Sequence, residues 1–109
     1  MTRPEDLPYT ISHRENLGEV PGLRVQIMGL AAGEQVPWHW HSEVDDTFVC
    51  MEGPMVVETR APAAVHDLMP GERVTVPVKT AHLVRGKDGG PCKFVLIQGI
   101  GAHDFHPVG

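Results

Sequence analysis

Glycine and proline interrupt this chain so regularly that no window of about eleven residues sustains an apolar repeat of helical period. The 12 glycines and 10 prolines are scattered rather than clustered, so they act as breaks between elements and not as linkers. Between the breaks lie short runs of alternating and β-branched residues, the pattern of an all-β sandwich or barrel. Strands are expected at residues 9–13, 23–30, 36–41, 47–51, 55–60, 64–68, 73–76, 81–85 and 92–98. Turn chemistry separates them at Ala32-Gly33-Glu34, Pro70-Gly71-Glu72 and residues 86–91, and Gly53-Pro54 reads as a hairpin corner. Residues 99–109 read as a tail. A length of 109 residues suits one domain. Patterning alone does not separate a jelly roll from a sandwich.

Seven histidines are many for such a chain, and their spacing carries the chemistry. His39 and His41 are one residue apart in an expected strand. Side chains alternate there, so both imidazoles share one face and Trp38 and Trp40 take the other. Asp46 follows across a turn-sized gap, and His82 lies in another expected strand. Glu43 and Asp45 are nearby carboxylates that can substitute. Parity favours Asp46, which shares its face with Phe48 and Cys50, whereas Asp45 falls opposite. Three imidazoles and a carboxylate form a mixed N/O donor set suited to one divalent transition metal: Fe, Mn, Zn, Ni or Cu. Four protein ligands around a six-coordinate ion leave two positions open.

Gly33, five residues, His39-Trp40-His41, four residues, Asp46, six residues and Gly53 resemble the first motif of the cupin superfamily. Gly71, five residues, Pro77, four residues and His82 resemble the second, and the stretch between the motifs is as short as in bacterial single-domain members. The resemblance implies a double-stranded β-helix (jelly-roll) barrel. Residues 1–109 would form one cupin domain with its barrel core at about 23–98, an N-terminal strand and a short tail. It also implies metal ligation by His39, His41, Asp46 and His82. Three positions depart from the family pattern. Asp46 stands where glutamate is usual. Lys79 replaces a glycine, so its turn is expected to avoid positive φ. Gly86 stands where asparagine is frequent.

The resemblance leaves the activity open, because cupins include dioxygenases, isomerases, epimerases, lyases, decarboxylases and non-catalytic binders. The expected function is a metal-dependent enzyme acting on a small oxygen-bearing molecule, of dioxygenase, isomerase or lyase type. The alternative is a non-catalytic ligand-binding or sensing module. Such a module would lack a second titratable group within reach of its ligand. No catalytic residue is assigned.

A net charge of −5 leaves no basic stripe for phosphates, so no nucleic-acid partner is expected. No apolar run approaches a membrane span, and residues 1–8 contain no signal-like apolar segment, so a cytoplasmic protein is expected. Cys50 and Cys92 are then reduced thiols, Cys50 facing the barrel as a small hydrophobe. The tryptophans suggest the interface of a homodimer. Arg24, Gln26, Met28 and Gln98 are candidates for the barrel lining, with the inward face of 23–30 undecided. Met51, Met55 and Met69 read as core, and His13, His66 and Asp67 as surface. His103, Asp104 and His106 lie where a tail can either fold over the barrel mouth or stay on the surface.

Overall fold

Two five-stranded antiparallel sheets make up the computed structural model, which describes residues 11–108. Numbered along the chain, one sheet has the order β1 (His13–Val20), β2 (Leu23–Leu30), β9 (Cys92–Gly99), β4 (Asp45–Glu52) and β7 (Arg73–Val76). The other has the order β10 (His106–Pro107), β3 (Gln35–Trp40), β8 (His82–Gly86), β5 (Met55–Arg60) and β6 (Ala63–Leu68). This is the expected all-β double-stranded β-helix. No helix among the described residues is long and apolar enough to cross a membrane.

Strand alternation builds the core. On β9, Cys92, Phe94, Leu96 and Gln98 are buried while the residues between them are half-buried. Asp46, Phe48 and Cys50 do the same on β4, and Gln26, Met28 and Leu30 on β2. The inward face of β2 is therefore the one that carries Gln26 and Met28. Phe48 and Phe94 meet edge to face with centroids 5.6 Å apart, a favourable aromatic geometry in the barrel centre. Register then fixes the site. Arg24, Gln98 and Asp46 are directly paired across β2, β9 and β4. In the other sheet, His39, His82 and Thr59 are paired across β3, β8 and β5.

Several expectations are corrected. The N-terminal strand runs from His13 to Val20, not over 9–13; residues 9 and 10 lie outside the described residues, and Ile11 and Ser12 are not in a strand. Its exposed, polar residues hide it from an apolar-pattern reading, because backbone pairing with β2 holds it and not burial. Gly53-Pro54 is not a hairpin corner. It carries the chain from β4 into β5, which lies in the other sheet. A Cβ on Gly53 would stand 2.7 Å from Cys50 Sγ, so the crossing excludes a side chain. Met55 is fully buried, but Met51 and Met69 are 40% and 56% exposed and are not core. Met51 has the outward parity opposite Cys50, and Met69 follows the last residue of β6 into a turn. Lys79 does adopt positive φ, 61°, where its N–H donates to the His41 carbonyl at 2.7 Å. That bond helps to hold a conformation costing a non-glycine residue about 1–2 kcal/mol. Gly86 has ordinary extended dihedrals, yet a Cβ there would lie 1.8 Å from the Gly90 oxygen. Close backbone approach explains the glycine.

Candidate metal centre

His39, His41, Asp46 and His82 are all buried, and one donor atom from each falls within 4.8 Å of the others. β3 supplies His39, the residue after its end supplies His41, β4 supplies Asp46 and β8 supplies His82. The two sheets thus contribute from opposite sides of the barrel. Glu43 and Asp45 are exposed and stay outside the cluster; Asp45 Oδ1 accepts the Val78 N–H at 3.0 Å instead.

The hydrogen bonds orient every donor. His39 Nδ1 bonds the Pro37 carbonyl at 2.7 Å, His82 Nδ1 the Thr80 carbonyl at 2.8 Å, and His41 Nδ1 the Asp104 carbonyl at 2.5 Å. A carbonyl only accepts, so each Nδ1 carries the proton. The Nε2 atoms of His41 and His82 face Asp46 Oδ2 at 2.9 and 3.0 Å. Asp46 Oδ1 accepts from Gln98 Nε2 at 2.9 Å, and Gln98 Oε1 accepts from Arg24 Nη2 at 2.6 Å. Metal-binding histidines characteristically donate their remote N–H to a carbonyl or carboxylate, and this web supplies that second layer. The borderline N/O donor set and the fixed tautomers fit a divalent transition ion. Thr59 lies on the same row as His39 and His82 but turns its hydroxyl to the Pro62 carbonyl.

Electrostatics follow from the same contacts. Burial pushes the His39 imidazole down to about 3, and the neighbouring His82 adds to the effect. Burial opposes charge on His41 as well, but the hydrogen bond and charge of Asp46 outweigh it and hold His41 above the ordinary imidazole value. Burial alone would raise Asp46; hydrogen bonds from His41 and His82 instead hold its carboxyl well below the usual range. A metal must therefore displace a proton that Asp46 stabilises on His41. Apparent metal affinity is expected to rise with pH through and beyond about 6.5, the ordinary imidazole value. His39, already neutral, contributes nothing to that slope. Calorimetry in buffers of different ionisation enthalpy checks this: metal binding should release protons, and the release should decline as pH rises. A pH-independent affinity across that window contradicts it.

The tail forms one wall of the site. β10 pairs with β3, and Phe105 stacks on His39 with centroids 4.5 Å apart. The Asp104 carboxylate accepts from the Ser42 N–H at 2.9 Å, from the Ser42 hydroxyl, and from His106 Nε2 at 3.0 Å. Burial works against ionisation of Asp104, but the Ser42 and His106 bonds hold it down at about 2. His103 lines the cavity, and its Nε2 lies 3.3 Å from the Gln98 carbonyl. His106 lies outside, stacked on Trp40 at 4.1 Å, while Arg60 covers Trp38 at 4.1 Å. The cavity beside the cluster is small, about 40 Å³, and Met28, Phe48 and Phe105 form part of its apolar wall.

Sequence patterning missed Ser42, Phe105 and the link from Gln98 to Asp46. Gln98 carried a usable signal: it is a polar side chain at an inward position of a strand whose other inward residues are Cys92, Phe94 and Leu96. Cys50 and Cys92 are buried free thiols. Burial lifts Cys92 to about 11, so it is poorly suited to nucleophilic chemistry. His13 is exposed at the start of β1 and His66 lies on β6, both apart from the cluster.

The family model described as "Cupin domain" matches residues 26–98. No curated protein matches the chain. Among solved structures, an uncharacterized conserved protein with a double-stranded beta-helix domain from Klebsiella pneumoniae is 19% identical, with TM-score 0.72, over 85% of this chain and 80% of that one. The TT1209 protein of Thermus thermophilus is 20% identical, with TM-score 0.72, over 93% and 91%. A recombinant oxalate oxidase in complex with glycolate is 15% identical, with TM-score 0.69, over 79% of this chain but 46% of its own. At these identities the shared property is the fold.

Proposed function

Because this chain belongs to the Cupin domain family, we propose that it is a metal-dependent enzyme acting on a small oxygen-bearing molecule, with His39, His41, Asp46 and His82 as the ligands of one divalent transition ion. The observation that carries the reading is the orientation of the cluster. Three imidazoles present Nε2 inward with Nδ1 committed to backbone carbonyls, and one buried carboxylate faces two of them. A divalent ion held there supplies either Lewis-acid polarisation of a substrate oxygen or a redox centre beside it. The chain itself does the rest. Gln98 orients Asp46, the Asp104 carbonyl orients His41, and Phe105 shields His39 from water. His103 lines the same cavity, so a titratable side chain outside the proposed ligand set stands beside the ligand space. That favours turnover over a sensing module. The structurally similar oxalate oxidase was solved in complex with glycolate, a small oxygen-bearing molecule.

Elemental analysis of protein purified without added metal, followed by aerobic and anaerobic screens of small hydroxy and oxo compounds, tests the reading. About one ion per chain with turnover supports it. Metal with saturable binding but no turnover favours the sensing module. Folded protein that takes up no divalent ion overturns both.

The reading includes one domain over residues 1–109, a cytoplasmic setting and a homodimer. The tryptophans are covered by Arg60 and His106, so the dimer surface is better sought on β1. Among the described residues this eight-residue strand is the last of its sheet, is exposed almost throughout and presents Leu17 and Val20, 54% and 59% exposed. Unpaired sheet edges invite a second copy. Sedimentation at tens of micromolar should give a dimer, which Leu17→Lys shifts towards monomer. A monomeric wild type rejects it.

A further inference from the structure

We infer that the tail, residues 102–108, is a strap coupled to the metal centre: its docking strengthens metal binding, and a bound ion strengthens its docking. The inference rests on the reading of His39, His41, Asp46 and His82 as metal ligands. After β9 the chain turns at Gly101, where a Cβ would stand 2.7 Å from the Glu43 carbonyl oxygen, and the Gly101 N–H donates to the Gly22 carbonyl at 3.0 Å. The strap then runs back along β3 and meets five consecutive residues there. The Asp104 carboxylate accepts from the Ser42 N–H and hydroxyl, and the Asp104 carbonyl accepts from His41 Nδ1. His106 stacks on Trp40, Phe105 stacks on His39 with planes 15° apart, and the Val108 N–H donates to the Trp38 carbonyl at 3.0 Å. Two of those five residues, His39 and His41, are proposed ligands.

The strap has little regular structure of its own. Residues 100–105 form no strand, and β10 adds only His106 and Pro107 to the sheet. Such a segment opens at lower free energy than the barrel behind it. Its contacts with the ligands then tie that opening to the metal. An ion on His41 Nε2 draws electron density from the ring and makes Nδ1–H a stronger donor, to a carbonyl that the docked strap supplies. In return, the carbonyl fixes the tautomer and the ring orientation that the ion needs. Phe105 likewise confines the His39 ring while the strap is docked. The two effects are one coupling free energy, so they are equal in size. Loss of an outer partner typically lowers metal affinity by about 10–100-fold, which sets the upper scale for loosening the strap. His106 is the handle on it. It bonds the Asp104 carboxylate and stacks on Trp40, and it belongs neither to the cluster nor to the cavity wall.

Amide hydrogen exchange by NMR on stripped and Zn²⁺-loaded protein tests this, with Zn²⁺ affinity measured by chelator competition. The Ser42 and Val108 amides report docking, because each is bonded across the strap contact. Gly33, whose N–H donates to the Gly89 carbonyl, is the control. Zn²⁺ should slow exchange at Ser42 and Val108 by about tenfold, and by more than at Gly33. His106→Ala and Asp104→Ala should each speed exchange at Val108 and weaken Zn²⁺ by about three- to tenfold, although neither removes the carbonyl that holds His41. Two variants keep the test open if one folds poorly. Zn²⁺ uptake that protects Ser42 and Val108 no more than Gly33 overturns the coupling and leaves the metal centre standing. So does faster Val108 exchange in the variants with Zn²⁺ affinity within about twofold of wild type. Unchanged Val108 exchange in both variants shows that these contacts do not hold the strap, and overturns it too. Folded wild type that takes up no divalent transition ion, Zn²⁺ included, rejects the metal centre and the coupling with it.

Discussion

His82→Ala is expected to lower metal affinity by about 100-fold or more, beyond the 10–100-fold typical of losing an outer partner. His82 is 1% exposed, its Nδ1 is fixed by the Thr80 carbonyl, and its ring lies 4.2 Å from that of His39 and 5.5 Å from that of His41. No other described histidine, cysteine or acidic residue joins the cluster, so none can replace it. Affinity is read by competition with a chromogenic chelator. Stability gives a second readout, since an ion bound only by the folded state stabilises it by about 2.7 kcal/mol at 100 times Kd. For a domain of this size that is roughly 10 °C in melting temperature. Removing an imidazole from the core also costs packing against Phe48, 5.9 Å away between centroids. The informative quantity is therefore the metal-induced shift, large in wild type and nearly absent in His82→Ala, and not the melting point alone. The same should hold for His39→Ala and His41→Ala. Three variants with full metal occupancy would remove the proposed site.

The cluster was legible in the sequence because period-two alternation is a hard geometric constraint. One intervening residue puts His39 and His41 on a common face, and the same parity favours Asp46 over Asp45. The strands from β2 to β9 were legible for the same reason, each ending close to a turn signal. β1 was not, because its residues are exposed on both faces and no apolar alternation marks them. The inter-sheet crossing at Gly53-Pro54 was misread because a tight turn between two strands looks alike whether the strands pair or part.

The tail was illegible for a different reason. Asp104 orients His41 through its main-chain carbonyl, which every residue possesses and no pattern reveals. Phe105 follows no alternation that would assign it to His39. The site is thus written in two registers. Side-chain chemistry on regular strands specifies the donors, and backbone geometry in an irregular segment fixes their orientation. Substitution of Asp104 therefore probes only its carboxylate bonds to Ser42 and His106, since the carbonyl that holds His41 survives it.

Asp46 separates coordination from proton handling, and its variants carry the second large expected effect. Oδ2 faces His41 and His82, and Oδ1 is held by Gln98, so the carboxylate has one orientation and one inward oxygen. Asp46→Ala removes an anion and an oxygen donor beside the proposed dication, leaving three imidazoles. Affinity should fall by about tenfold, less than for a lost histidine. It also removes the main influence that holds His41 above its ordinary value, while burial, which lowers it, remains. Less proton is then displaced on metal binding, so the rise of affinity with pH should move to lower pH than in wild type. Asp46→Glu restores the carboxylate usual in the family and should stay within about tenfold of wild type. If Asp46 instead stands off the ion as a base acting through bound water, Asp46→Ala keeps its metal and loses turnover. Occupancy, pH profile and turnover measured together distinguish the two roles. Unchanged values of all three in Asp46→Ala would reject both, and would leave His39, His41 and His82 as a three-imidazole site.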